Sequence, residues 1–227
     1  MPFIGKRLKK IKSEINTQKV YSLKEAVSII KKNATAKFDE TIELCMMLGI
    51  DPKRQDQGVR NVLNLPHGTG KTYRVAVFAK DAKADEAKAA GADVVGSDEL
   101  VAMIQRGDIQ FDKCVATPDM MGLVGRVGKI LGPKGLMPNP KLGTVTNDIA
   151  AVVKNIKGGQ IEYRSEKNGI VHAGIGKASF SEQQLEENAR ALYNAIDNSR
   201  PAGVKGTFIK KMVLSSTMGV GLTFILD

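Results

Sequence analysis

The chain has no tryptophan, 5% aromatic residues, two cysteines and two histidines among 227 residues. Each scarcity removes a class of function. Proteins that read single-stranded nucleic acid stack successive bases on several aromatic faces, and no basic run here interleaves with Phe or Tyr. Cys45 and Cys114 are far apart in apolar surroundings, which reads as two buried free thiols in a reducing compartment rather than a disulfide framework. His67 and His172 are also distant from each other, and neither lies beside a cysteine. Zinc needs three or four ligands, usually in close pairs, so no metal is expected, and no cofactor.

Long apolar runs are missing too. The longest uncharged stretch, Met212 to Leu226, is 15 residues and rich in Ser, Thr and Gly. A bilayer needs about 20 predominantly apolar residues. The start, MPFIGKRLKKIK, is basic with no apolar run after it, unlike a secretory signal. A cytoplasmic protein with no membrane partner is expected. Nor is there chemistry for an enzyme: GxSxG is absent and neither cysteine lies in a nucleophile context. The pairs Asp39-Glu40 and Glu186-Glu187 read as ordinary solvated carboxylates.

What the sequence does have is positive charge, +10 net with a pI near 9.5. A basic soluble protein attracts polyanions, nucleic acid above all. With 42% apolar residues the chain has material for its own core.

Three rhythms run along it. At the start, Ile4, Leu8, Ile11 and Ile15 keep helical spacing through the basic run Lys6–Lys12. Ser22 caps a second helix, with Glu25 as reciprocal partner and Leu23, Ala26, Val27 and Ile30 on its apolar face. Strands follow from Thr41 and over Val59–Leu65, with a turn at Asp51-Pro52 between them. The middle alternates short strands (73–79, 94–95, 111–116) with helices (82–90, and 98–105 capped by Ser97), the pattern of βαβ units and a small parallel sheet. Residues 120–147 then form a Gly- and Pro-rich loop with four bases and no acid. The last third reads as a hairpin, 161–164 with 170–172 around Asn168-Gly169, then a helix opened by Ser181, then two strands around SSTMG.

Neither end alone has enough sheet and helix to close a core. The expected architecture is therefore α/β and α+β in two domains. A discontinuous α+β domain takes residues 1–67 and 159–227, and a Rossmann-like α/β domain, 68–158, is inserted into it. There are 13 bases and 7 acids before residue 67 and 8 and 7 from residue 160, against 13 and 10 between them. The outer domain thus holds most of the excess charge.

Two motifs suggest phosphate binding. HGTGKT at 67–72 has the end of a phosphate-binding loop, but the first glycine of that motif would fall at Leu65, and Tyr-Arg-Val-Ala-Val-Phe-Ala after it is a strand, not a helix. A nucleotide-dependent enzyme built on the middle domain is the rival reading, and this mismatch weighs against it. In GLVGRVGKILGPKGLMPNPKLGTVT (122–146), glycines let backbone amides approach phosphates among Arg126, Lys129, Lys134 and Lys141. A compact surface loop is the plainer alternative.

That second segment resembles, nearly letter for letter, the hallmark of the bacterial large-subunit ribosomal protein L-one family, found in the mobile stalk beside the tRNA exit site. ATAKFDETIEL (34–44), LGIDPKRQDQGVRNVLNLPHGTGK (48–71), GPKGLMPNPK (132–141), GKASF (176–180), KGTFIKK (205–211) and STMG (216–219) resemble that family's blocks in its order. The resemblance implies a structural rRNA-binding protein, not an enzyme, that is monomeric when free of the ribosome. It implies binding to a folded stem of the large-subunit (23S) rRNA, help in releasing deacylated exit-site tRNA, and translational repression of the protein's own messenger RNA. A dedicated messenger-RNA repressor with no ribosomal place is the nearest competitor.

The family's RNA-contacting surface, carried over block by block, implies Lys37, Phe38, Thr41 and Glu43 in the first block, Arg164 in IEYRSEKNG, and Thr217, Met218 and Gly219 in STMG. Arg126, Lys129, Lys134 and Lys141 are implied as secondary RNA contacts. Lys and Arg neutralise phosphates, while Thr, Glu and exposed backbone reach 2′-hydroxyls and base edges. By residue type alone, Phe38 and Met218 also read as core and Glu43 as a solvated strand residue. Ser215-Ser216 and Ser165-Glu166 depart from the family's usual letters, which touches fine contacts only.

Overall fold

The computed structural model describes residues 5–16, 19–51, 54–80 and 82–226. Ile4, in the helical spacing of the first run, and Pro52, in the turn before the second strand, lie outside them. The chain opens with α1 (Lys6–Glu14), β1 (Tyr21–Ser22), α2 (Leu23–Asn33), β2 (Thr41–Leu48) and β3 (Arg60–Asn64). Next come β4 (Val75–Phe78), α3 (Ala82–Ala89), β5 (Val94–Gly96), α4 (Asp98–Gln105), β6 (Lys113–Ala116), α5 (Met121–Arg126), α6 (Gly128–Leu131) and α7 (Ile149–Lys157). It closes with β7 (Gln160–Arg164), β8 (Ile170–Lys177), α8 (Glu182–Asn198), β9 (Ile209–Ser216) and β10 (Leu222–Ile225).

These elements divide into two compact units: Met1–Gly70 with Ile161–Asp227, and Lys71–Gln160. The first holds a five-stranded sheet in the order β1-β10-β9-β2-β8, antiparallel except for the β1–β10 pair. Strand alternation decides its two faces. On β2, Ile42, Leu44, Met46 and Leu48 are buried, while Glu43 and Met47 are exposed. The buried face packs under α2, through Leu23, Ala26, Val27 and Ile30, and under α8, through Leu185, Ala189, Leu192 and Ile196.

Both helices start where their caps dictate. Ser181 and Gln184 form a reciprocal capping box at α8. At α2, Ser22 accepts from Glu25 N at 3.3 Å, but the Glu25 carboxylate lies 3.9 Å from Lys19 Nζ.

In the second unit, β5-β4-β6 form a fully parallel sheet. Val75 and Val77 face a core with α3 and α7, while Ala76 and Phe78 face one with α4, α5 and α6. All four residues of β4 are buried, as expected of a parallel strand covered by helices on both sides.

Four sequence expectations need correction. Ser97 precedes α4 but makes no capping hydrogen bond, and Asp98 and Glu99 in the first turn answer the helix dipole instead. Strands 161–164 and 170–172 do not form a regular hairpin. β7 pairs with β3 and β8 runs on to Lys177 against β2, because Val171, Ala173 and Ile175 belong to the main sheet's core. The isolated bridge Ser165–Val171 links the two strands. Residues 120–147 are not an open loop: α5 and α6 form there because Val124, Val127, Leu131 and Leu142 are buried. Cys114 is buried, but Cys45 is half-buried on the solvent side of β2. Burial raises the pKa of both thiols, with the Glu166 charge adding to it at Cys45.

Candidate nucleic-acid interface

The most elaborately bonded surface of the first unit lies where β2 begins and β9 ends. Thr41 N donates to Thr217 Oγ1 at 2.9 Å, and Thr217 N donates to Thr41 O at 3.0 Å. Thr217 Oγ1 also donates to Thr41 O at 3.2 Å, and Lys177 Nζ donates to Thr41 Oγ1 at 2.8 Å. Two segments distant in sequence, 36–41 and 216–219, are thereby fixed against each other.

Glu40 is the centre of this arrangement. It is 1% exposed, so an ionised carboxylate there requires partners. One oxygen accepts from Ala36 N at 3.1 Å; the other accepts from Ser216 Oγ at 2.7 Å and Met218 N at 3.0 Å. Arg7 stands 3.8 Å from the first oxygen, and its guanidinium also donates to the Met218 carbonyl. Burial pushes the Glu40 carboxyl up, but the hydrogen bonds from Ser216, Met218 and Ala36 and the Arg7 charge outweigh it, leaving its pKa below the ordinary carboxylate value. The reading of Asp39-Glu40 as a solvated pair is therefore wrong. Glu40 is a buried hub, and Asp39 accepts from Ser179 N and Oγ at 3.1 and 2.8 Å.

Around this hub the chain presents side chains to solvent. Phe38 is 54% exposed and Met218 48%, so neither is core. Lys37, Glu43 and Thr217 are exposed, and Thr41 is half-buried. Glu43 lies two residues up β2 from Thr41, opposite Ser215 on β9 and Gly174 on β8. A Cβ on Gly219 would sit 2.4 Å from Ser216 Oγ, the hydroxyl that bonds Glu40. Glycine there keeps the turn closed on its carboxylate.

Seven of the eight primary residues implied by the sequence thus gather at one end of the sheet. Arg164 does not join them. It is exposed at the end of β7, and its neighbour Ser165 bridges to Val171, which pairs with Met46. Five residues along β2 separate that position from Thr41, roughly 17 Å at the usual rise of a strand.

A model of the ribosomal protein L1p/L10e family matches residues 30–220 of the chain. The chain belongs to this family. Membership makes it a large-subunit ribosomal protein that binds rRNA, at the ribosome in the cytoplasm, and the family is not one of enzymes. The matched range covers the 36–41 and 216–219 segments and both carboxylate-bound amides.

The secondary residues of this ribosomal protein lie in the second unit. Arg126, Lys129, Lys134 and Lys141 are all exposed on or beside α5, α6 and the turn at 140–142. The amides of Gly132, Gly135 and Gly143 already donate to the carbonyls of Gly128, Gly132 and Pro140. Phosphate contact here therefore rests on the side chains rather than on those amides.

HGTGKT has a structural occupation. Asn188 on α8, fully buried, accepts from His67 N at 3.1 Å and donates to the carbonyls of Gly68 and Ile175 at 3.0 and 2.7 Å. His67 Nε2 lies 2.5 Å from Glu187. The next regular element is β4, so no helix N-terminus follows the motif.

Glu40, Arg7, Lys177 and Asn188 were not singled out from the sequence. For Glu40 a signal existed: counting back by two along β2, it shares parity with Ile42, Leu44 and Met46.

Proposed function

We propose that the surface formed by Lys37, Phe38, Thr41, Glu43, Thr217, Met218 and Gly219 is the primary RNA-reading site, with Arg164 a separate phosphate contact. The exposure of Phe38 and Met218 over a buried, fully hydrogen-bonded carboxylate carries this reading. Large apolar side chains held in solvent by a rigid base suit a partner that covers them. The mixture of hydroxyls, one carboxylate and few aromatics suits a folded stem, read through shape, backbone and 2′-hydroxyls.

On this reading the first unit is a discontinuous RNA-binding domain, and the second is a Rossmann-like domain inserted into it. Arg126, Lys129, Lys134 and Lys141 supply secondary phosphate contacts. The protein binds a folded stem of the large-subunit rRNA and forms with it the mobile stalk near the tRNA exit site, where it assists release of deacylated tRNA. A similar fold in its own messenger RNA lets it repress translation. Released from the ribosome, it is a monomer.

Titration of the stem tests the site. With about five phosphate contacts, raising salt from about 50 to 200 mM lowers affinity on the order of a hundredfold. Thr217→Val keeps the shape but removes a hydroxyl bonded to Thr41. It is expected to cost about 1–2 kcal/mol of RNA affinity and about 1 kcal/mol of stability. Unchanged affinity with lowered melting would make Thr217 purely structural, and a flat salt response would remove the electrostatic part of the reading.

A further inference from the structure

The helix α1 is built against its own stability. Lys6, Lys9 and Lys10 are exposed and occupy positions i, i+3 and i+4 of one helical face. Like charges at that spacing repel. Lys6 and Lys9 also crowd the N-terminal end, where the helix dipole favours acids, and the first turn contains none. Gly5 in the capping position offers no side-chain hydrogen bond. No feature internal to the helix compensates for this arrangement.

The helix is nevertheless held in one place. Its opposite face buries Ile11, and Ile11 and Ile15 line a small crevice with Ile29, Ile30, Gly219 and Leu222. Arg7, three residues before Lys10 and thus its neighbour on the helix surface, donates to the Met218 carbonyl and faces Glu40. The turn that presents Thr217 and Met218 is therefore tied to α1, and the lysine face stands beside it, turned to solvent.

We infer that α1 is a phosphate-tracking element of the RNA interface: Lys6, Lys9 and Lys10 neutralise backbone phosphates of the stem flanking the part read at Thr217 and Met218. This rests on the reading of that turn as the RNA site. Violations of local preference without a local compensation concentrate at functional surfaces. Here they amount to three unpaired-sign charges in one row, continuous with the candidate interface. A polyanion supplies what the helix lacks.

The experiment uses the full chain with Lys6, Lys9 and Lys10 all changed to Gln, titrated with the rRNA stem at several salt concentrations. Helical content is expected to be kept or raised, because repulsion has been removed. The slope of log affinity against log salt becomes shallower by about 2 to 3, one counterion equivalent per lost contact, and the affinity loss grows as salt is lowered. Preference for the stem over an unrelated duplex stays. The Lys→Arg triple variant, which keeps the charge, retains the original slope. An unchanged slope in the Gln variant, with the protein folded, overturns the inference. Thr217→Val titrated alongside separates the two readings. If it loses affinity while the Gln variant does not, the inference about α1 fails alone; if it is neutral while the Gln variant loses slope, α1 contacts RNA and the reading of the turn fails.

Discussion

Deleting residues 71–159 and closing the gap with a short Gly linker is expected to leave a folded protein that binds the rRNA stem with most of its affinity. The first unit keeps its five-stranded sheet, both covering helices and the whole Glu40 network, since every element of these lies within Met1–Gly70 and Ile161–Asp227. Its core needs nothing from the second unit: Ile42, Leu44, Met46, Leu185, Leu192 and Leu214 belong to one cluster. The lost contacts are those of Arg126, Lys129, Lys134 and Lys141. If they only touch phosphates, the deletion costs about 1–2 kcal/mol at moderate salt. Residues 71–160 alone have a parallel sheet with a helix layer on each face and should fold, yet bind RNA weakly with little sequence preference. Titration of both proteins at matched salt, beside the full chain, gives the comparison. The separation should be large, several orders of magnitude between the two pieces, because specific and non-specific binding commonly differ by about 10³ or more in nucleic-acid recognition.

Glu40→Ala is the substitution expected to do most damage within the first unit. It strands the Ser216 hydroxyl and the amides of Ala36 and Met218, and it leaves Arg7 facing a hole. Unsatisfied groups of this kind cost about 1–3 kcal/mol each when buried. Because these are only partly shielded, a total of about 2–4 kcal/mol of stability is the expected loss, read as a shift in the denaturant midpoint. RNA affinity should fall as well, by about 1–3 kcal/mol, since two segments then have to be ordered on binding. Glu40→Gln preserves shape but turns an amide NH₂ toward one of the donors, so it should fall between Ala and wild type.

The same carboxylate makes a pH prediction. Its pKa in the folded protein lies below the ordinary value of 4.5. The stability it contributes is present above that value and is lost as pH falls through the lower, folded one. Wild type should therefore lose a component of stability on acidification that Glu40→Gln lacks. Parallel acid titrations of the two proteins with identical steepness would show that Glu40 is not held ionised.

The regular elements of this fold were legible because their signals are local. Ser181 with Gln184 marks the start of α8, and the period of Leu185, Ala189, Leu192 and Ile196 marks its buried face. The alternating strands and helices between residues 75 and 116 read directly as parallel βαβ units. What stayed hidden depends on contacts between distant segments. Asp39 and Glu40 look alike in sequence, yet one bonds Ser179 at the surface and the other disappears beneath Met218. Arg164 matched a block of the family, but the pairing of β7 with β3 puts it toward the far end of the sheet. Asn188 sits in the middle of an amphipathic helix, where a single polar residue on the buried face gives no hint that it secures His67 and Gly68.

The most direct test of where RNA binds is photo-crosslinking of the full-length protein to the rRNA stem, with the modified peptides identified by mass spectrometry. Adducts are expected within residues 34–44 and 215–219, with Phe38 and Met218 foremost, since these two are exposed over the Glu40 network. Weaker adducts are expected near Arg164 and along α1. Crosslinks confined to residues 122–146, with 34–44 and 215–219 unmodified, would contradict this and make the basic surface of the second unit the primary RNA site.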